Sequence, residues 1–245
     1  MAFSGFRQES ISCSLAEIDF TDRQYPFSYG RDDGRLRQSV VREGVVQPPL
    51  LAAGAAGLVI VCGRRRLEAL RQVRGTAAGK IEAWLAVDAD PAALCLHALW
   101  ENAGHRQFNP VEAADIFTVL EKLLPAAALG DEILGVLGLP PKAKFLRRCR
   151  VIAAMEDEVR RRLAAGLLDG ETVDLLADWL AADRRELLAL AEELTLNRNR
   201  LREITRLAAD LAGRDGETPA AVLRRTREAL SASWPVTGGE FHQRL

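Results

Sequence analysis

The residue types best suited to binding chemistry begin at Gly63, directly after the apolar run Val59–Cys62. Three arginines, Arg64, Arg65 and Arg66, follow this glycine. A glycine lets the backbone approach a ligand closely, a helix N-terminus donates free N–H groups, and arginine binds phosphate oxygens through paired hydrogen bonds. The pattern therefore indicates an anion site where a buried strand joins a helix, although arginines at a helix start are more often simply solvated.

A second polar cluster, Glu101-Asn102-Ala103-Gly104-His105-Arg106, lies at the end of a predicted helix. Its carboxylate and amide oxygens are hard ligands of the kind that Mg²⁺ prefers, and its arginine suits phosphate. Together the two clusters could hold a metal–triphosphate. The alternative is a polar helix terminus that only precedes the next helix.

The second half of the chain has a third group of this kind, with the proportions of a helix-turn-helix near residues 131–152. A short helix is predicted over Asp131–Leu137, closed by Gly138, and a basic helix from Pro140 or Pro141. Its basic residues are Lys142, Lys144, Arg147, Arg148 and Arg150. Such a patch neutralises DNA phosphates and makes binding salt-dependent. The alternative is a solvated face in an ordinary helical bundle.

Composition limits the function classes. The 245 residues carry a formal net charge of −1, so a nucleic-acid interface has to rest on a local patch. The four cysteines are scattered, and with only three histidines they give no zinc-ligand spacing. No apolar run approaches the roughly 18–20 residues that span a bilayer. We therefore expect a cytoplasmic protein with reduced cysteines.

The elements that must position these clusters form a mixture of strands and helices in the first half. Residues 1–10 are predicted as a loose tail and residues 25–34 as a loop. The predicted strands are Ile11–Asp19 with its turn, Val45–Leu51 with its prolines, Leu58–Val61 and Ile81–Val87. The predicted helices are Leu36–Glu43, Arg64–Val73 and one that opens at Asp90-Pro91 and runs to Trp100.

After residues 107–110 the sequence predicts helices alone. Asn109-Pro110-Val111-Glu112 is a cap, a first-position proline and an acidic first turn, and its helix runs to about Leu124. The later helices are predicted at about 156–165, 171–180, 183–194, 197–212 and 220–230. The predicted fold class is therefore α+β followed by an all-α region.

In this order, the motifs resemble those of the ParB family of partition proteins, over about residues 11–210. The family's Gly-hydrophobic-Gln-Pro phrase appears as Gly44-Val45-Val46-Gln47-Pro48-Pro49-Leu50, and its Gly-Glu-Arg-Arg as Gly63-Arg64-Arg65-Arg66. Its Glu-Asn-x-x-Arg and Leu-Asn-Pro-x-Glu motifs correspond to the stretch Glu101–Glu112. The segment Met155–Leu176 is similar to the family's following helices.

The resemblance implies a ParB/sulfiredoxin-like N-terminal domain over residues 1–108, which binds CTP and Mg²⁺. Gly63, Arg65 and Arg66 would hold the triphosphate. Glu101 and Asn102 would lie at the metal, with Glu101 supporting a slow CTPase reaction.

A helical DNA-binding domain over residues 109–212 would follow, and then a short tail, residues 213–245, with one amphipathic helix. The helix at about 141–152, with Lys142, Lys144, Arg147 and Arg148, would enter the major groove. The implied protein is a homodimeric clamp on double-stranded DNA that acts in plasmid or chromosome partition or related regulation. It would be nucleoid- or plasmid-associated, with a partition ATPase as a possible partner.

Two positions depart from the family motifs. Arg64 replaces the usual glutamate, and its extra positive charge would strengthen phosphate binding while a carboxylate is lost. His105 stands at the usual arginine, and Arg106, one residue later, would substitute for it. All three residues are expected to contact the nucleotide. The C-terminal region lacks sustained apolar heptads, which favours a plasmid, phage or mobile-element regulator over a standard chromosome role.

Two other functions fit the same sequence. An ATP-using kinase on the same N-terminal fold would use Glu101 as a general base. A nucleotide-independent helix-turn-helix regulator would use only the basic helix. The sulfiredoxin reaction needs a cysteine after the glycine, whereas Cys62 precedes Gly63 here, so we set that chemistry aside.

Overall fold

The computed structural model describes residues 5–25, 27–30, 34–75 and 79–231. Contacts between Cα atoms divide the chain into two compact units, Met1–Cys149 and Arg150–Leu245, and each is described by itself. The division predicted near residue 108 stays a prediction. The tail residues after Ser231 lie outside the described residues.

The first unit is built on a five-stranded mixed sheet. Its strands are β1 (Arg7–Ser14), β2 (Ile18–Asp19), β3 (Leu50–Ala53), β4 (Leu58–Cys62) and β5 (Lys80–Val87). The strand order is β1-β5-β3-β4-β2. The pairs β1/β5 and β3/β4 are antiparallel, and the pairs β3/β5 and β2/β4 are parallel. The predicted mixed α+β class is confirmed.

Two strand predictions were wrong in position. Residues 7–10, predicted as part of a loose tail, belong to β1, which pairs with β5 along its whole length. β1 is an edge strand whose first residues are exposed on both faces, so they show no apolar alternation that a sequence reader could detect. The strand predicted at Val45–Leu51 begins only at Leu50, because Pro48 and Pro49 have no N–H group to donate to a ladder.

Six α-helices and two short 3₁₀ helices, Leu15–Glu17 and Ala126–Ala128, complete the described part of the first unit. The α-helices are α1 (Gly34–Glu43), α2 (Arg64–Arg74), α3 (Pro91–Ala103), α4 (Pro110–Leu123), α5 (Asp131–Val136) and α6 (Ala143–Ala154), the last of which runs past the unit boundary. α1 and α2 pack together, and a core that contains Leu51, Ile60, Leu67 and Leu70 fixes α2 against the sheet. The end of β4 and the start of α2 are therefore held by buried apolar contacts.

α6 starts later than the sequence predicted. The Lys142 carbonyl accepts the first helical N–H groups, those of Phe145 and Leu146, so the helix begins after Lys142 and not at Pro140 or Pro141. A residue that precedes proline avoids the helical region, which keeps Pro140 out of the helix.

The second unit is helical in its described part. Its helices are α7 (Asp157–Ala164), α8 (Gly170–Leu176), α9 (Ala181–Glu193), α10 (Arg198–Asp215) and α11 (Pro219–Ser231). The predicted helix at 171–180 ends at Leu176, and the Arg184 guanidinium donates a hydrogen bond to the Leu176 carbonyl. Across the described residues of both units, no helix is long and apolar enough to cross a membrane.

Candidate functional site

A cleft of about 220 Å³ in the first unit is lined by residues of both predicted clusters. Gly63, Arg64, Arg65 and Arg66 line it, as do Glu101, Asn102, His105 and Arg106. β4 ends at the cleft and α2 starts there, while α3 brings the second cluster to it. The fold thus brings together two groups that lie some 35 residues apart in the chain.

Gly63 forms the turn between β4 and α2 in a conformation that favours glycine. Its φ of +89° is left-handed, and an added Cβ would lie 3.0 Å from the Pro49 Cβ and 3.2 Å from the Pro49 Cα. The N-cap residue, Gly63, has no side chain that could accept a hydrogen bond from the first backbone N–H groups of α2. A helix start of this kind binds anions through those groups and the helix dipole.

Arg66 and Glu101 form an ion pair in the cleft. The Arg66 Nη2 lies 3.9 Å from the Glu101 Oε1, and the Arg66 Nη1 donates to the Gln47 carbonyl over 2.7 Å. Both side chains are largely buried, with 18% and 26% of their surface exposed. Burial lowers the pKa of Arg66, and the Glu101 carboxylate opposes that shift. The pair places a positive donor beside a negative acceptor, as a metal–phosphate ligand requires.

Arg64 also lines the cleft, but it is only 6% exposed and holds a neighbouring segment. Its Nη1 donates to the Phe20 carbonyl over 3.1 Å and its Nη2 to the Asp22 carbonyl over 2.5 Å. Glu68, one helical turn along α2, lies 3.7 Å away. Burial is the main cause that lowers the pKa of Arg64.

Arg106 is tied to the start of α4. Its Nη1 donates to the Glu112 Oε2 over 2.7 Å, and its Nη2 donates to the Phe27 carbonyl and, over 3.4 Å, to the Asn102 Oδ1. Glu112 is fully buried, and Asn109 and Glu112 form a reciprocal capping box at the N-terminus of α4. This arrangement links the second cluster to the segment that contains Phe27.

The other polar residues of the two clusters occupy different positions along the cleft. Asn102 donates through its Nδ2 to the Ala98 carbonyl over 2.9 Å, which turns its amide oxygen toward Arg106. His105 is exposed and Arg65 is half-buried. Both line the cleft.

The donor set of this cleft suits a metal ion that arrives with a phosphate ligand. No group of three or more His, Cys, Asp or Glu side chains that could hold a metal occurs in the described ranges. Glu101, with the Asn102 amide near it, offers a single carboxylate. Mg²⁺ is commonly bound by one or two carboxylates together with substrate phosphates and water, so these residues fit that mode.

Cys62 also lines the cleft, but its burial disfavours a reactive sulfur. Burial raises the pKa of its thiol to about 12, an effect that the Glu101 charge increases and the Arg66 charge opposes. The thiolate is the nucleophilic form, so a thiol with this pKa is inert near pH 7.

The predicted DNA-binding residues lie on and just before α6, after the short helix α5 and a turn that contains Gly138 at φ +67°. Lys142, Lys144 and Arg147 are exposed, and Arg148 is half-buried with its guanidinium carbon 5.2 Å from the Phe145 ring centre. Two helices joined by a turn thus occur where the helix-turn-helix was predicted. Their role in reading DNA stays a prediction.

Three parts of the site were not predicted from the sequence. Gln47 was noted only as part of a motif and Glu112 only as part of a helix start. Residues 25–29 belonged to a loop predicted over 25–34, and residues 20–24 were given no role. The capping box Asn109–Glu112 was the one available signal, since an acidic residue three positions after a cap returns to the backbone at the cap.

No protein-family model matches the sequence, and no curated protein matches it. The chain is similar in structure to a C-terminally truncated chromosome-partitioning protein ParB from Caulobacter crescentus complexed with CTP-γ-S. That comparison gives 22% identity, covers 69% of this chain and 92% of that one, and has a TM-score of 0.34. It is also similar to the C-terminally truncated ParB from Caulobacter crescentus complexed to the centromeric parS site, at 19% identity over 80% and 98% of the chains, with a TM-score of 0.36. At these TM-scores the similarity carries no argument, so the function proposed below rests on the cleft and on the sequence motifs.

Proposed function

We propose that this chain is a ParB-like, nucleotide-dependent DNA-binding protein whose cleft holds a nucleoside triphosphate with Mg²⁺. The observation that carries the proposal is the convergence of both polar clusters on one cleft, with the Arg66 Nη2 3.9 Å from the Glu101 Oε1. Neither cluster alone separates a binding site from a solvated helix end, whereas their juxtaposition supplies phosphate donors and a metal-binding carboxylate together.

In this proposal the triphosphate lies against Gly63, Arg65 and Arg66. The N-terminus of α2 would donate hydrogen bonds from its backbone N–H groups to it, and the Arg66 guanidinium would exchange its long contact with Glu101 for a phosphate oxygen. Glu101, with Asn102, would hold Mg²⁺, which would neutralise phosphate charge when bound. His105, exposed at the cleft, would contact the nucleotide from its open side.

Glu101 is also the residue that we propose supports hydrolysis. A carboxylate in a partly buried cleft can accept a proton from an attacking water. Its Oε1 lies 3.9 Å from the Arg66 Nη2, and neither cluster supplies a second carboxylate to share the work. We therefore propose slow turnover of the nucleotide and a binding role as the main one.

CTP is the nucleotide to expect because the motifs resemble those of the ParB family. The same resemblance supports a homodimer that encloses double-stranded DNA, action in plasmid or chromosome partition, and a partition ATPase as a partner. The exposed basic side chains Lys142, Lys144 and Arg147, with Arg148 beside them, would bind the DNA. Their charge supplies the phosphate contacts that the nearly neutral chain as a whole does not.

Calorimetric titration of the full chain with CTP, ATP, GTP and UTP, each with Mg²⁺, tests the proposal. We expect selective CTP binding that is lost in Arg66→Ala and kept in Arg42→Ala, an exposed arginine at the far end of α1. A preference for ATP would support the kinase alternative. No binding of any nucleotide, with or without DNA, would contradict the proposal and favour the nucleotide-independent regulator.

A further inference from the structure

We infer that Arg64 and Arg106 are positioning residues that hold one wall of the cleft from its two ends, and that they leave the triphosphate to Arg65 and Arg66. The wall segment is defined here as residues 20–25 and 27–29. The two arginines come from the two motif clusters and both line the cleft. The consequence for nucleotide binding rests on the function proposed above, but the hold on the segment does not.

One end of the wall segment is held by Arg64. Its two Nη atoms donate to the carbonyls of Phe20 and Asp22, over 3.1 Å and 2.5 Å. The side chain is 94% buried, since 6% is exposed, and it stays attached to α2 through Glu68. The N–H groups of the planar Arg64 guanidinium have fixed directions, so hydrogen bonds from them to two backbone carbonyls fix the path of the chain.

The other end is held by a network around Glu112. Arg106 donates to the Phe27 carbonyl and to the Glu112 Oε2, while the Glu112 Oε1 accepts the Tyr29 N–H over 3.1 Å. The Asn109 Nδ2 donates to the Tyr29 carbonyl over 2.9 Å. Backbone groups of Phe27 and Tyr29 are thus bound by three side chains from the α3–α4 junction and the start of α4.

The held segment contributes apolar residues to the lining of the cleft. Tyr25 and Phe27 line the cleft and are almost completely buried, and Leu36 of α1 lines it as well. Arg65 and Arg66 line the same cleft. A nucleoside, with its flat and less polar ring, suits the aromatic residues, whereas the phosphates suit the arginines. By holding this segment in place, the two positioning arginines therefore favour binding of the nucleoside.

Arg64 and Arg106 also explain the two departures from the family motifs. Arg64 stands where the family has glutamate, and its guanidinium turns to backbone carbonyls of the wall segment. Arg106 comes one residue late, and its strongest contacts are with Glu112 and Phe27. Both are thus employed as donors to protein acceptors.

Hydrogen exchange of the full chain without nucleotide tests the hold itself. Arg64→Lys and Arg106→Lys keep the charge but lose the fork. We expect Arg106→Lys to speed exchange at the Tyr29 amide, by about tenfold or more, because Glu112 loses the donor that orients it. Arg66→Lys, the matched control, should leave Tyr29 unchanged. Unchanged exchange at Tyr29 in Arg106→Lys would overturn the inference.

Comparison of CTP–Mg²⁺ with inorganic triphosphate–Mg²⁺ tests the consequence. We expect Arg64→Lys and Arg106→Lys to weaken CTP by about tenfold, the effect of one charged hydrogen bond, and to leave inorganic triphosphate unchanged. Arg66→Lys should weaken both. Equal losses on inorganic triphosphate would make Arg64 or Arg106 a phosphate ligand and overturn the inference. If the wild type binds neither probe, the proposed function fails, and the exchange result alone decides the positioning role.

Discussion

The cleft and the basic face of α6 use the same kinds of cationic side chain in opposite ways. In the cleft, Arg64 is buried, Arg106 is partly buried, and both are bonded to carbonyl or carboxylate oxygens. Arg66 is bonded to the Gln47 carbonyl and lies 3.9 Å from Glu101. On and just before α6, Lys142, Lys144 and Arg147 are exposed. The first arrangement fixes geometry, and the second supplies exposed charge.

This difference teaches which kind of ligand each region suits. A buried, fixed donor loses little freedom when a ligand binds, so it favours one shape of ligand. Exposed cations neutralise any phosphate chain, and salt weakens their binding steeply. We therefore expect binding in the cleft to depend on exact side-chain geometry and binding at α6 to depend on charge and salt.

The largest effect is expected from Glu112→Ala. Removal of this fully buried carboxylate takes away the acidic partner of Arg106 and the acceptor of the Tyr29 and Asn109 N–H groups. We expect a loss of about 3–5 kcal/mol in the free energy of unfolding, measured by urea titration. Glu43→Gln, an exposed control at the end of α1, should change it by less than about 0.5 kcal/mol. Equal effects would remove the contrast between buried and exposed charge.

Gly63→Ala tests whether the cleft depends on exact geometry. An alanine there has both a left-handed φ and a Cβ only 3.0 Å from the Pro49 Cβ and the Arg66 Nη2. The control Gly75→Ala, at the other end of α2, has φ +68° with nothing within 4 Å of the added Cβ. We expect both variants to lose about 1–2 kcal/mol of stability, and Gly63→Ala alone to lose nucleotide affinity.

A fall in nucleotide affinity in Gly75→Ala as large as that in Gly63→Ala would show that general strain, and not the closeness of the turn to Pro49 and Arg66, controls binding. Isothermal titration with CTP–Mg²⁺ measures both variants against the wild type.

The double variant Lys142→Ala/Arg147→Ala tests the opposite region. We expect duplex DNA binding to weaken and the slope of log affinity against log salt to become shallower by about two, about one for each lost phosphate contact. Without nucleotide, Arg66→Ala should leave the slope unchanged, because its guanidinium is held inside the cleft. An unchanged slope in the double variant would place the DNA surface elsewhere.

The smallest effect is expected from a partly exposed pair in the second unit, Glu156 and Arg184. The Arg184 hydrogen bonds to Glu156 hold the pKa of that carboxyl below its usual 4.5. A lowered carboxyl pKa adds stability above pH 4.5 that is lost as the pH falls through the folded-state value. Glu156→Gln should therefore cost about 1 kcal/mol at pH 7 and less near pH 3, by urea unfolding.

A cost that is the same at pH 7 and pH 3 would show that the Glu156 charge contributes nothing. It would also contradict the expectation that the contribution of an ion pair to stability falls as its partners become more exposed.

Much of the fold could be read from the sequence because apolar periodicity and helix caps are local. Gly63, Asp90-Pro91 and Asn109-Pro110 mark helix starts that the structure shows within one residue. β1 was placed four residues late, because an exposed edge strand has no apolar alternation. α6 starts later than predicted because the first carbonyl that accepts a helical N–H group is that of Lys142. Composition does not reveal which carbonyl this is.

For the site, the sequence indicated which residues could do chemistry but not how each guanidinium is used. The three arginines after Gly63 look equivalent in the sequence, yet Arg64 bonds to Phe20 and Asp22 while Arg66 bonds to Gln47. Those partners lie 19 to 44 residues away, and only the folded sheet brings them near. Hydrogen-bond partners this far apart in the sequence cannot be predicted from local spacing.

The most direct measurement is hydrogen exchange at the backbone amides of residues 64–66 with and without CTP–Mg²⁺. Bound phosphates would accept hydrogen bonds from the N–H groups at this helix start, so we expect strong protection in the wild type and none in Arg66→Ala. Binding without protection at the start of α2, or protection that appears only in another part of the chain, would contradict the assignment of this cleft as the nucleotide site.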